Sequence, residues 1–138
     1  MIIIDTNIIS EMMKVSPSTK VMTWMDKHQA IELFITTTTI AEIFYGINVL
    51  PDGNRKRSLE DSFNKTLEFA FKHRILSFDE AAAQLYGEIM GKRKMLGRPL
   101  SIFDGQIASI AIANKFSIAT RNVRDFIDCE INLINPFE

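Results

Sequence analysis

The N-terminal stretch Met1-Ile2-Ile3-Ile4-Asp5-Thr6-Asn7 decides the fold class. Its apolar, largely β-branched half is typical of a strand buried on both faces, and the polar residues that follow open a helix. The same succession recurs further on, where a second strand is predicted over residues 31–37 and a helix over residues 39–50. Buried strands that alternate with helices predict an α/β protein with a central, mostly parallel sheet flanked by helices.

The rest of the chain continues this alternation without a repeat or a linker. At 138 residues it has the length of one domain, which we expect to cover residues 1–138. Further strands are predicted over residues 75–78, 116–120 and 131–134. Further helices are predicted to begin at Pro17, after the turn Pro51-Asp52-Gly53-Asn54, at Asp79 and at Ser101, with Gly97 and Pro99 ending the helix that Asp79 opens.

The composition restricts the kind of site that the chain can hold. Cys129 is the single cysteine, and with only His28 and His73 beside it a zinc site of the Cys/His type is not expected. Any metal must therefore be held by oxygen. No run approaches the roughly 20 apolar residues that cross a bilayer, and the N-terminus does not resemble a signal peptide, so we expect a cytoplasmic protein without membrane contact. The net charge of −1 neither favours nor excludes nucleic acid.

Acidic residues lie where the predicted strands end and the following helices begin. Asp5 follows the first strand, Glu42 the second, and Asp104 stands near the start of the helix opened by Ser101, while Asp125 comes after the strand that ends at Thr120. Reactive crevices of parallel sheets lie beyond the carboxyl ends of the strands. Carboxylates gathered there repel one another unless a cation is present, so the pattern predicts a site for Mg²⁺ or Mn²⁺.

Helix capping is the alternative explanation for each acid taken singly. Asp5 could be an N-cap, and both Thr39-x-x-Glu42 and Ser101-x-x-Asp104 match the capping box. Glu42, however, is the only charged residue between Ile40 and Val49, in a helix that is apolar nearly all round. A carboxylate in such a helix is expected to face a cleft and to have a partner there.

The basic clusters are more typical of solvated surface than of ligand contacts. This applies to Arg55-Lys56-Arg57, to Lys72 with Arg74, and to Lys92-Arg93-Lys94 with Arg98. Arg121 and Arg124 differ, because they flank the last acidic element and would stand beside a bound phosphodiester. The candidate RNA contacts are Arg121, Arg124, Lys92 and Arg98.

Four segments together resemble the PIN-domain toxins of VapC or FitB type: Asp5-Thr6-Asn7, Ala41-Glu42-Ile43-Phe44-Tyr45-Gly46, Asp104-Gly-Gln-Ile-Ala-Ser-Ile-Ala, and Thr120-Arg-Asn-Val-Arg-Asp-Phe. The resemblance spans the chain in order. It implies a three-layer fold and a magnesium-dependent endoribonuclease, with Mn²⁺ as a possible substitute and transfer RNA as a plausible substrate. It also implies a toxin that forms dimers and is controlled by a cognate antitoxin, whose amphipathic tail lies across an apolar groove.

Carried over by position, the resemblance makes Asp5, Glu42 and Asp104 the metal ligands. The fourth acidic place falls either on Asn122 or on Asp125, and we expect Asp125 to be the catalytic carboxylate and Asn122 a neutral neighbour. Water made more acidic by the metal would attack the phosphodiester in line, with Glu42 either ligating or taking the proton. Side chains expected to orient the carboxylates or bound water are Thr6, Asn7, Thr120 and Asn122.

Two other functions remain open at this point, as does a structural domain whose acids only cap helices. An enzyme with an aspartyl nucleophile at Asp5, as in phosphatases of the haloacid-dehalogenase kind, would need a second acid two residues on, where this chain has Asn7. A catalytically silent module could instead grip RNA or protein through the basic clusters, although clustered acids would hinder RNA binding. Metal-free histidine catalysis is disfavoured, since neither histidine lies in an acidic segment.

Overall fold

Five parallel strands form the centre of the computed structural model, which describes residues 1–138. The strand order is β3-β2-β1-β4-β5, and every neighbouring pair is parallel. The first strand is therefore the middle of the sheet. The strands are β1 (Ile2–Ile4), β2 (Leu33–Thr36), β3 (Ile75–Leu76), β4 (Ser117–Ala119) and β5 (Leu133–Ile134).

Helices connect the strands and cover both faces of the sheet, as the predicted α/β class requires. A short 3₁₀ turn precedes β2, and a π-helical turn extends the fourth helix. The helices are α1 (Thr6–Met12), α2 (Thr19–Asp26), α3 (Thr37–Asn48), α4 (Asn54–Lys65), α5 (Glu80–Met95), α6 (Ile102–Asn114) and α7 (Val123–Phe126). The predicted fold class is confirmed.

Successive residues of β1 point into two separate hydrophobic cores, because side chains alternate along a strand. Ile4 packs with Ile8 of α1 and Phe63 of α4, in what we call the α1–α4 core. Ile3 packs with Ile107 of α6 and Phe126 of α7, in the α5–α7 core. Each helical layer is thus held on its own face of the sheet.

Local capping explains most helix starts, with one correction. The side chains of Asp79 and Ser101 accept hydrogen bonds from backbone N–H groups three residues on, as predicted. Helix α3 begins two residues earlier than predicted, because Thr36 caps it by accepting from the Thr39 N–H at 3.0 Å. The Thr39/Glu42 capping box, which was the alternative explanation for Glu42, is therefore wrong. The four-residue α7 begins after β4, where the sequence predicts a helix start without bounds. None of the helices has the length and apolar character that a bilayer crossing demands.

Candidate active site

Asp5 lies at the carboxyl end of the central strand and is almost fully buried, with 4% of its surface exposed. Its Oδ1 accepts from the Thr6 N–H at 2.7 Å, so the N-cap interpretation is correct. Its Oδ2 accepts from the Thr120 hydroxyl at 2.7 Å and from Asn7 Nδ2 at 3.1 Å. Capping therefore occupies one carboxylate oxygen, and a second set of donors holds the other.

Burial raises the pKa of Asp5 to about 6. The hydrogen bonds from Thr120 and Thr6 oppose this rise, while the negative charges of Asp104 and Glu42 add to it. These two charges reach Asp5 from different helices, since α3 carries Glu42 and α6 carries Asp104. Three of the predicted acids therefore share one electrostatic neighbourhood.

Thr120 links the end of β4 to the start of α1. Its side chain is fully buried, and its oxygen accepts from Asn7 Nδ2 at 3.2 Å and from the Asn122 N–H at 3.0 Å while its hydroxyl donates to Asp5. Asn7 Oδ1 in turn accepts from the Arg121 N–H at 3.2 Å. The segment after β4 is thus fastened to the segment after β1 through polar side chains.

Glu42 faces the same crevice from α3. Its Oε1 accepts from the Thr6 hydroxyl at 2.7 Å, and that hydroxyl lies 3.1 Å from the Thr39 hydroxyl. Burial raises the pKa of Glu42, and repulsion by Asp104 adds to the rise. Glu42 caps no helix, and its hydrogen bond from Thr6 is the partner that its apolar surroundings require.

Asp104 and Asp125 line one cavity of about 230 Å³ beside α6. The Ser101 hydroxyl oxygen accepts from the Asp104 N–H at 3.2 Å, which leaves the Asp104 carboxylate out of the backbone capping. Burial raises the pKa of Asp104, and the Asp125 carboxylate raises it further. Asn122 is exposed, and its backbone rather than its side chain contacts the site: its N–H donates to the Thr120 hydroxyl oxygen, and its carbonyl oxygen accepts from the Asp125 N–H. Of the two candidates for the fourth acidic place, Asp125 is the one beside Asp104.

The donor set has the chemistry of a site for a hard cation, although its side chains do not converge. The four carboxylates supply oxygen only, and their mutual repulsion is what a divalent cation would relieve. No three acidic, histidine or cysteine side chains approach closely enough to form a ready ligand set. Repulsion between the carboxylates is compatible with this spacing, because charges repel over longer distances than the roughly 2.1 Å of a magnesium–oxygen bond.

The two arginines that flank the last acidic element differ in their surroundings. The Arg121 guanidinium lies 3.8 Å from the centroid of the Phe137 ring and 3.6 Å from the carboxylate of Glu11. Glu11 is nearly buried and is also paired with Lys14 at 2.6 Å. Arg124 lies exposed on α7 and forms no ion pair. Arg124 is therefore the more available cation.

Lys92 and Arg98 are occupied by acids outside the crevice. Arg98 Nη1 lies 2.9 Å from Asp128 Oδ2, and Lys92 Nζ lies 3.8 Å from Glu130 Oε1. Lys92 lines a cavity together with Ile112, which is eight residues, or about 12 Å of helix, beyond Asp104. The structure does not bring Lys92 to the carboxylates.

The basic run around Arg93 predicts a position on the solvated surface, and this prediction is wrong. Only 3% of Arg93 is exposed, and its guanidinium donates to backbone carbonyls of the segment that carries Asp125. A signal was present in α5, where positions 82, 86, 89 and 93 follow helical spacing and the first three are apolar or aromatic. The basic neighbours Lys92 and Lys94 suggest an exposed segment, whereas Arg93 itself lies on the buried face of α5.

Fold and site together define a class of α/β proteins in which a parallel sheet gathers carboxylates at the carboxyl ends of its strands. The family model of the PIN domain matches residues 2–129. The chain belongs to the PIN-domain family, as the resemblance of its four segments implied.

Named relatives match the chain over its full length. The plasmid stability protein StbB of Pseudomonas syringae pv. tomato is 38% identical over 138 residues, 100% of this chain and 99% of that protein. The VapC ribonuclease Y4jK of Sinorhizobium fredii is 33% identical with the same coverage. Toxin FitB of Neisseria gonorrhoeae is 31% identical over 99% of both chains. The solved structure of FitAB bound to the IR36 DNA fragment contains a chain that is 31% identical, with a TM-score of 0.93 over 100% of this chain and 96% of that one.

Proposed function

We propose that this chain is a metal-dependent endoribonuclease that uses Mg²⁺, with Mn²⁺ as a substitute. The observation that carries the proposal is the buried Asp5, whose carboxylate is held by Thr120 and Asn7 and repelled by Glu42 and Asp104. Such a concentration of acids at the carboxyl edge of a parallel sheet suits cation binding better than capping. The ribonuclease name of one full-length relative supports the choice of RNA.

In this proposal Asp5 and Asp104 are the principal ligands, and Glu42 and Asp125 complete the acidic set. When bound there, Mg²⁺ or Mn²⁺ would supply a more acidic water and Lewis-acid stabilisation of the leaving oxygen. The protein contributes by holding carboxylates in place before substrate arrives. Thr120 and Asn7 fix Asp5 Oδ2, so this oxygen keeps its direction without the cation.

Glu42 has one oxygen held and one free. Thr6 donates to its Oε1, and Oε2 accepts no hydrogen bond from the protein. Oε2 is therefore the atom available either to take a proton from the attacking water or to ligate the cation. In this proposal Arg124 contacts an RNA phosphate beside Asp125, and its exposed, unpaired position on α7 supports that role. Arg121 would join it from its position against Phe137.

Cleavage of a mixed transfer-RNA pool tests the enzyme directly. The purified chain is incubated with Mg²⁺, with Mn²⁺ and with EDTA, and Asp5→Asn serves as the control for contaminating nuclease. Asp61→Asn is the matched variant, because Asp61 is an exposed acid on α4 outside the site. We expect cutting by the wild type and by Asp61→Asn that vanishes in EDTA and in Asp5→Asn. Equal cutting by Asp5→Asn would refute the proposal, and absence of cutting by a folded wild type with both metals would favour a silent binding module.

We further infer that the chain is the toxin of a toxin–antitoxin pair that acts in the cytoplasm. Support comes from the toxin and plasmid-stability names of its full-length relatives and from the FitAB complex among its structural neighbours. Induced expression in a bacterial host should arrest growth, and Asp5→Asn should relieve the arrest. Light scattering on the purified chain tests the homodimer that the family resemblance implies, and a monomer at all concentrations would contradict it.

We propose that the antitoxin tail binds in a groove of about 350 Å³ between α1, α3 and α4. One end reaches Thr6 and Glu42, and the cations Lys14 and Arg55 stand at its sides. An amphipathic segment with apolar residues toward the groove fits this surface. The apolar residues that line the groove are Met13, Ile43, Ile47, Leu50 and Leu59.

Filling that groove tests its role. Gly46 lines it, and a Cβ at this position would meet nothing within 4 Å, so Gly46→Phe should place a ring in the groove. We expect the variant to arrest growth like the wild type but to escape neutralisation by a co-expressed candidate antitoxin that neutralises the wild type. Neutralisation of both chains alike would place the antitoxin elsewhere.

A further inference from the structure

The element that carries Asp125 has little local support. Helix α7 has only four residues, and no side-chain hydrogen bond caps it at Asn122. Asp125 itself is exposed, although Phe126 beside it is buried in the α5–α7 core. A helix of this length is not stable by itself, so tertiary contacts must set the position of the Asp125 carboxylate.

Arg93 supplies these contacts from α5. Its Nη1 donates to the carbonyl oxygens of Asp125 at 3.0 Å and Ile127 at 2.6 Å, one on each side of Phe126. The same nitrogen lies 3.3 Å from Cys129 Sγ. Its Nε donates to the Arg98 carbonyl oxygen at 2.7 Å, which joins the loop that leads to α6. One guanidinium thus connects α5, the loop before Asp104 and the backbone of Asp125.

The charge of Arg93 has no paired carboxylate. No acidic oxygen lies within ion-pair distance of its guanidinium, which is satisfied by carbonyl groups although it is 97% buried. A buried charge is costly, and an apolar residue would pack this position more cheaply. What an arginine provides here and an apolar residue does not is a rigid guanidinium that donates to several backbone carbonyl groups at once.

Arg93 also lines the cavity that Asp104 and Asp125 share. We propose that Arg93 is a positioning residue, which holds the backbone of Asp125 so that its carboxylate stands beside Asp104 and completes one side of the cation site. The inference rests on the proposed function in taking this cluster as a cation site. Arg93 itself contacts neither cation nor substrate in this role.

A double-mutant cycle on Mn²⁺ binding tests the inference without RNA. Calorimetry on the purified chain gives the Mn²⁺ dissociation constant of the wild type, Arg93→Lys, Asp125→Asn and the double variant. We expect each single change to weaken binding roughly tenfold, as for other groups that orient ligands. The double variant should be no weaker than Asp125→Asn, because Arg93 acts through Asp125. Lys94→Met is the matched control, since Lys94 is an exposed cation on the same helix, and it should bind like the wild type.

Several results would overturn the inference. These are unchanged binding by Arg93→Lys, additive losses in the double variant, or no Mn²⁺ binding by the folded wild type. Arg93→Gln replaces Arg93→Lys if the lysine variant does not fold. Hydrogen exchange gives a second readout: the amides of residues 123–127 should exchange faster in Arg93→Lys than in the wild type, and equal exchange would also refute the inference. RNA cleavage is assayed separately, so a chain with the expected coupling that cuts no RNA would refute the ribonuclease and leave the role of Arg93 standing.

Discussion

Replacing Thr120 by valine should weaken the fold through the carboxylate of Asp5. Valine keeps the shape of threonine but loses the hydroxyl, which donates to Asp5 Oδ2 at 2.7 Å in a fully buried position. A hydrogen bond to a charged group contributes about 1.5–3 kcal/mol. The same change removes the acceptor of Asn7 Nδ2 and of the Asn122 N–H. We therefore expect Thr120→Val to lower the free energy of unfolding by about 2–3 kcal/mol at pH 8.

The loss should depend on pH in a defined direction. The hydroxyl stabilises the charged form of Asp5, whose pKa burial raises to about 6, so the contribution is largest where Asp5 is ionised. At pH 4 the folded chain holds Asp5 protonated, and the loss should shrink to about 1 kcal/mol, the value of a neutral hydrogen bond.

Urea unfolding in EDTA, at pH 8 and at pH 4, measures both values. Thr120→Ser is the control, because it keeps the hydroxyl and loses only a methyl group. A difference between the valine and serine variants below about 0.5 kcal/mol at pH 8 would refute the reasoning, since it would mean that the hydroxyl contributes less than an ordinary hydrogen bond. A loss that is equal at both pH values would show that the charge of Asp5 plays no part.

Three further predictions concern pH, cations and helix packing. In EDTA the wild type, compared with Asp5→Asn, should lose about 3 kcal/mol of stability as the pH rises from 3.8 to about 6. The folded chain keeps the Asp5 proton over that interval whereas the unfolded chain loses it, and each pKa unit corresponds to about 1.4 kcal/mol. A stability difference between the two chains that does not change with pH in urea unfolding would contradict this. Mn²⁺ at about one hundred times its dissociation constant should add about 2.7 kcal/mol, and thermal unfolding that EDTA and Mn²⁺ leave unchanged would argue against a cation site. Gly46→Ala, in open space, should gain about 0.5–1 kcal/mol. Gly105→Ala should gain less or lose stability, because the new Cβ would lie 2.5 Å from Met90 Sδ and 3.0 Å from Tyr86, and these side chains must shift. Thermal unfolding checks both, and an equal gain at the two positions would refute the packing argument.

What could be predicted from the sequence was mainly local or periodic. Asp5, Asp79 and Ser101 cap helices through backbone groups one to three residues away, so their roles are contained in short segments. The apolar run of β1 likewise predicts a strand buried on both faces, and such strands are the basis of the α/β class. The parallel sheet then places the predicted acids at one edge without any knowledge of individual contacts.

What could not be predicted depends on contacts between distant segments. Thr120 and Asp5 are 115 residues apart, and Arg93 and Asp125 are 32 residues apart. No local pattern states which carbonyl groups a buried arginine will reach. The sequence does not single out Thr36 as the cap, because four threonines in a row offer the same hydroxyl. The end of β2 at Thr36 decides which of them caps α3.

The division of the hydrophobic interior into two cores has a mechanical consequence for the acidic crevice. Asp5 and Glu42 stand on helices packed on one face of the sheet, and Asp104 and Asp125 on helices packed on the other. The crevice therefore lies between two helical layers, which meet directly where the Thr38 hydroxyl of α3 donates to Gln106 Oε1 of α6 at 2.9 Å. A cation bound by acids from both sides would add a further link between these layers and would resist their separation.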